Sequence, residues 1–183
     1  MLTLCAGTRG DPLRGKLDLF SIDSSESYEP ISYVWGAPAN NLDEFITLFD
    51  ANGAGRLELT ASLYGALKRL RHPNRDRRLW ADQICINQKN MEERSQQVQF
   101  MNRIYKNASH VLVWLGADEE GIAKAAFELV HELNETFGDE DKRATFDAEH
   151  ADTRETQDWL KQWLSPLDHL TRLTWVSQTA ALV

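Results

Sequence analysis

The chain has 183 residues, of which 42% are hydrophobic and 26% charged, the composition of a single soluble globular domain. Twenty Lys and Arg against twenty-eight Asp and Glu leave a net charge of −8, which speaks against a nucleic-acid binder. No apolar run approaches the roughly 20 residues of a membrane span.

Short apolar runs alternate with helical patterns, which predicts an α/β domain. KLDLFSI (16–22) alternates with period two and reads as a half-buried strand. ISYVWG (31–36) is a second strand, stopped by Gly36 and Pro38. FITLF (45–49) and RLELT (56–60) flank Asn52-Gly53, a strong hairpin signal. Thr60 caps a helix running through Arg71, striped by Leu63, Leu67 and Leu70, with Pro73 after its end.

RRLWADQICI (77–86) reads as a buried strand entering a loop. Asn90 caps a helix from Met91 to about Lys106, with Glu93 at the reciprocal capping-box position and Val98, Met101, Ile104 and Tyr105 as its apolar face. HVLVWLG (110–116) is expected to be a central parallel strand. A helix over 122–137 follows, with Ala123, Phe127, Val130 and Phe137 along one side. The charged stretch 138–152 is expected to be a mobile loop, followed by a helix around 156–164 and a last apolar segment, 170–183.

The start, MLTLCAGTRGDPLRGK, holds too short an apolar stretch for a signal peptide. Cys5 and Cys85 make neither a disulfide scaffold nor a zinc site, and the histidines show no ligand pair. The expectation is a reduced, cytoplasmic domain with no metal and no membrane contact. The acid is uneven: residues 1–110 are nearly neutral, and the excess lies in 111–183. A basic cluster, Lys68, Arg69, Arg71, Arg75, Arg77 and Arg78, is relieved only by Asp76. It reads either as a solvated helix end or as a patch for phosphate or an acidic partner.

In open α/β sheets, ligands sit beyond the carboxyl ends of the strands. Asp82, Gln83, Asn87 and Gln88 fall at one such end, Gly36 and Asn40 after Trp35 at another, and Asp118 after Gly116 at a third. Asp82 stands out. A carboxylate in an otherwise apolar strand is either hydrogen-bonded or ligand-facing. Glu92 and Glu93 serve the helix N-terminus on the simplest reading, and Cys85, between Ile84 and Ile86, packs rather than reacts.

YEPISYVWG (28–36), LWADQICINQKNMEERSQQVQFMNRIYKNASHVLVWLG (79–116) and, more loosely, LTRLTWVSQ (170–178) resemble the fungal heterokaryon-incompatibility (HET) domain. The resemblance implies one HET domain over 1–183, acting in non-self recognition and programmed cell death. HET domains are held to be similar to TIR domains, which implies a flavodoxin-like fold: a central, mainly parallel sheet flanked by helices, here with an additional N-terminal β-hairpin region. Some TIR domains cleave NAD with a glutamate on a helix near a tryptophan, and the family's W-V-x-Q-E motif has that spacing. NAD is then a possible substrate, and no cofactor is implied.

In this chain the motif reads Trp175-Val176-Ser177-Gln178, and the glutamate position holds Thr179. Threonine carries no negative charge. Either the chain is catalytically silent or another acid substitutes, Asp82 and Glu92 being the sequence candidates. Trp35, Gly36, Asn87, Gln88, Asp118, Trp175 and Gln178 are the expected ligand contacts. A non-enzymatic alternative acts by self-association or by docking on other incompatibility proteins, its basic 68–78 cluster facing an acidic 118–158 stretch.

Overall fold

A computed structural model describes residues 1–36, 43–50, 53–118, 121, 123–149, 157–158, 161–165 and 167. The chain forms two compact units, Met1–Gly116 and Ala117–Val183. The first is α/β. Its strands are β1 (Leu2–Leu4), β2 (Leu13–Leu17), β3 (Glu29–Tyr33), β4 (Phe45–Asp50), β5 (Gly53–Glu58), β6 (Arg77–Trp80) and β7 (Leu112–Trp114). They form one sheet in the order β5-β4-β2-β1-β6-β3-β7. The β2·β4, β3·β6 and β3·β7 pairs are parallel, whereas β1·β2, β1·β6 and β4·β5 are antiparallel. β4 and β5 form the hairpin that Asn52-Gly53 signals, with Gly53 already in the strand opposite Asp50.

The helices are α1 (Ala61–Leu70), a single turn α2 (Asp82–Cys85) and α3 (Met91–Lys106). Thr60 caps α1 by accepting from Leu63 N, and its buried stripe is Leu63, Ala66 and Leu67. That stripe joins Leu2, Leu4, Leu13, Ile31, Ile46, Leu59 and Leu79 in the main core. A second cluster, Tyr28, Trp80, Ile86 and Ile104, takes Phe20, Met101 and Tyr105 against it. Trp80 and Tyr105 meet edge to face at 6.1 Å.

Several expectations need correction. The strand placed at 16–22 lies at Leu13–Leu17, where Leu13 and Gly15 face inward and Gly15 lets Leu2 approach. The alternation of 18–22 is not strand pairing; Phe20 and Ile22 join the second core cluster instead. The 77–86 strand ends at Trp80, because Ala81 O takes the N–H groups of Ile84 and Cys85 and closes α2. β7 is parallel but not central: among the described residues it pairs only with β3. On α3, Val98 is 55% exposed and lies outside the buried face.

The second unit contains α4 (Ala123–Phe137) and α5 (Glu140–Glu149), with further helical residues at 157–158 and 161–165. On α4 the buried positions are Ala126 and Leu129, while Phe127 is 56% exposed, so the inward stripe is rotated from the one expected. The expected mobile loop contains α5. Its Glu, Lys, Arg and Ala residues are good helix formers, Asp139 Oδ1 accepts from Asp141 N at 2.9 Å, and Thr145 Oγ1 donates to Asp141 O. Among the described residues, no helix is long and apolar enough to cross a membrane.

Candidate functional site

β3 and β6 are parallel neighbours, so their carboxyl ends emerge at the same edge of the sheet. Tyr33 ends β3, Trp35 follows it, and Asp82 follows β6 by two residues. The three side chains meet. Tyr33 Oη donates to Asp82 Oδ1 at 2.6 Å, and Trp35 Nε1 donates to Asp82 Oδ2 at 2.7 Å. Gln83 N donates to Asp82 Oδ1 at 2.8 Å, and Gln88 Nε2 donates to Asp82 O. Burial, and then the negative charge of Asp82, push the Tyr33 phenol well above its usual range, so it stays a donor. Asp82 therefore ties two strand ends to the α2–α3 loop.

Gly36, next along, adopts φ +66°, a conformation that costs an L-residue about 1 kcal/mol. The neighbouring Trp35 indole is 41% exposed. The indole lines a cleft of about 1310 Å³. The cleft lies wholly within the first unit. Its floor is the second core cluster, Tyr28, Trp80, Ile86 and Ile104. Its polar wall is Asn87, Gln88, Lys89, Glu93, Gln97 and Arg103. Typical small-molecule sites span roughly 300–1,000 Å³, so this one has room for a dinucleotide.

Of the residues nominated from sequence, the cleft brings together Trp35, Asn87 and Gln88, with Gln83 beside them. Asp82 supports Trp35 from behind and is not itself part of the lining. Glu92 is exposed on the first turn of α3 and is not in the lining either. Asp118 belongs to the second unit, where its Oδ2 accepts from Ala123 N at 3.2 Å. Asn40, Trp175, Gln178 and Thr179 lie outside the described residues.

The reading of Glu93 is corrected. Asn90 caps α3 as expected, its Oδ1 accepting from Glu92 N and Glu93 N. Asn90 N, however, donates to Asn87 O, and the Glu93 carboxylate takes Asn87 N at 3.1 Å instead of closing the capping box. Sequence reasoning also missed Gln97 and Phe100. Glu93, Gln97, Phe100 and Ile104 recur at spacings of four, three and four, one stripe of α3 facing the cleft. That polar-to-apolar stripe was visible in the sequence, but the more apolar one centred on Met101 outweighed it.

The basic cluster is mostly structural. Lys68 Nζ donates to Arg9 O and Asp11 O at 2.9 and 2.7 Å. The Arg71 guanidinium, 8% exposed, donates to the carbonyls of Thr8, Asp11 and Pro12. Arg77 grips Glu29 with two hydrogen bonds of 2.6 and 2.9 Å, and Arg78 pairs with Glu26. Asp76 accepts from Ala6 N. Four of the six cations thus serve their own unit. Burial raises the Cys85 thiol and keeps it protonated, in line with a packing role. Among the described residues, no group of three or more His, Cys, Asp or Glu is placed to hold a metal ion.

Residues 28–178 match the family described as heterokaryon incompatibility protein (HET), and the chain belongs to that family. Over 130 residues it is 38% identical to heterokaryon incompatibility protein 6, OR allele, of Neurospora crassa. That match covers 64% of this chain and 19% of the relative, so the chain spans only a small part of that curated protein. No solved structure matches the chain significantly.

Proposed function

We propose that the chain is an effector domain of heterokaryon incompatibility, acting in non-self recognition and cell death by binding NAD in the Trp35 cleft and cleaving its nicotinamide–ribose bond. The observation that carries this reading is the exposed Trp35 indole, pinned by Asp82 at the rim of a dinucleotide-sized cleft whose wall is rich in amide side chains. An immobilised indole offers a stacking face for nicotinamide or adenine. Asn87, Gln88 and Gln97 offer donors and acceptors for ribose hydroxyls and the carboxamide.

The reaction suits such a site. Nicotinamide leaves a cationic ring as a neutral molecule, so no strong general acid is needed. The transition state is oxocarbenium-like, and a fixed carboxylate stabilises it, as in glycosidases. The test is nicotinamide release from NAD by the purified chain over a wide protein concentration range, beside Trp35→Ala and Thr179→Glu. Release that falls about tenfold or more in Trp35→Ala supports the reading. Absence of both NAD binding and release in the parent chain and in Thr179→Glu overturns it.

A second reading is a non-enzymatic death-signalling module that self-associates or docks on other incompatibility proteins. Its support is the exposed apolar pair Met91 and Val98, seven residues apart on one face of α3. Assembly at high concentration that Met91→Asp and Val98→Asp abolish, without any nicotinamide release, favours this reading over the first.

A further inference from the structure

We propose that Glu93 is the carboxylate that meets the ribose in this cleft; the proposal rests on the NAD reading above. Five acidic side chains compete for the role. Asp82 spends both oxygens on Tyr33, Trp35 and Gln83 and stands behind the indole. Glu92 is exposed and outside the lining. Asp18 and Asp50 do line the cleft, but both are exposed at strand ends. Glu93 alone combines a place in the lining, partial burial and a fixed orientation.

That orientation comes from one hydrogen bond. Asn87 N donates to Glu93 Oε1 at 3.1 Å, and no described residue bonds Oε2. Among the described residues, the carboxylate is thus anchored through one oxygen only. Gln97 and Phe100 continue the same stripe of α3 along the cleft lining. A carboxylate keeps a fourfold lone-pair capacity, and a single backbone donor leaves room for ribose hydroxyls. The missing glutamate at Thr179 then need not silence the chain.

In the proposed step the bond between C1′ of the ribose and the nicotinamide nitrogen breaks heterolytically. Its electron pair stays on the ring nitrogen and cancels the ring's positive charge. Glu93 faces the oxocarbenium ion that remains. Water adds to C1′ and gives its proton to Glu93 and then to solvent. NAD and water become nicotinamide, ADP-ribose and a proton.

The experiment compares the full chain with Glu93→Gln and Glu92→Gln, measuring NAD affinity by calorimetry, nicotinamide release, and thermal unfolding. Glutamine keeps the Oε1 acceptor for Asn87 N but not the charge. Expected is a loss of release by about a hundredfold or more in Glu93→Gln, with NAD affinity within about threefold. Glu92→Gln stays at the parent rate. Should Glu93→Gln unfold, Glu93→Asp replaces it, with partial release expected. Parent-like release by Glu93→Gln overturns this assignment and leaves the NAD reading standing. NAD binding without release in the parent overturns the catalytic role. Neither binding nor release in the parent removes the NAD reading and this assignment together.

Discussion

Asp82 holds Trp35 by its indole N–H at 2.7 Å, across the carboxyl ends of two parallel strands. The bond is charge-assisted, and Tyr33 supplies a second of the same kind at 2.6 Å. The carboxylate is therefore a positioning group: it fixes an aromatic plate at the mouth of the cleft. A double-mutant cycle of Asp82→Ala and Trp35→Phe, read by urea unfolding, is expected to give a coupling of about 1–2 kcal/mol. Strict additivity would show that the pair is not energetically linked.

Arg71 holds the loop between β1 and β2. Its guanidinium bonds the carbonyls of Thr8, Asp11 and Pro12 from a nearly buried position at the end of α1. Arg71→Ala strands those acceptors and is expected to destabilise the first unit by about 3 kcal/mol. Arg71→Lys should recover less than half of that, because an ammonium cannot present the planar fork. Chemical denaturation of the three proteins decides it.

The Glu29–Arg77 pair sets an acid limb on stability. The hydrogen bonds from Arg77, and then its charge, hold the Glu29 carboxyl below its usual range. A lowered folded value means the stabilisation is complete above the unfolded value, about 4.3, and is lost as pH falls through the folded value. At pH 7, Glu29→Gln is expected to cost about 1–2 kcal/mol. That difference should shrink as pH drops below about 4, in a urea series from pH 3 to 7. A difference constant with pH would mean the pair is not the source.

Gly15 is needed for want of a side chain. A Cβ there would come within 2.6 Å of Leu2 Cδ1 and 3.1 Å of Thr3 O. Gly15→Val is expected to lower stability by about 1–3 kcal/mol through overpacking at the β1–β2 ladder. An unchanged thermal midpoint would show that the neighbouring leucine yields freely.

Where chain-local chemistry decides, the sequence was a good guide. The Thr60 and Asn90 caps, both helices they start and the β4–β5 hairpin were legible from cap residues and an Asn-Gly pair. Long-range partners were not. Nothing local in HVLVWLG tells an edge strand from a central one, since that depends on whether a further strand pairs outside it. The strand end at Trp80 depended on an Ala81 carbonyl closing α2, which a run of apolar residues conceals. In the site, Trp35, Asn87 and Gln88 were found from strand-end reasoning. Glu93 was not, because the capping-box rule accounted for it too readily; the donor its carboxylate takes is Asn87 N, three residues before the cap.

The placement of β1 carries a consequence for how the sheet assembles. Leu4 faces Gly15 on one side and Arg77 on the other, so one ladder closes over a short hairpin and the other over most of the unit. The half of the sheet made by β2, β4 and β5 draws on residues up to Glu58, whereas β6 and β7 complete β1 and β3 only from Arg77 onward. Contacts of such unequal sequence separation close at different rates, the distant ones last. The Trp35 cleft, which needs Asp82 and α3, belongs to the late half. During synthesis, an early half-sheet with β1 open on one flank would precede any functional site, and that flank is where a chaperone would be most needed.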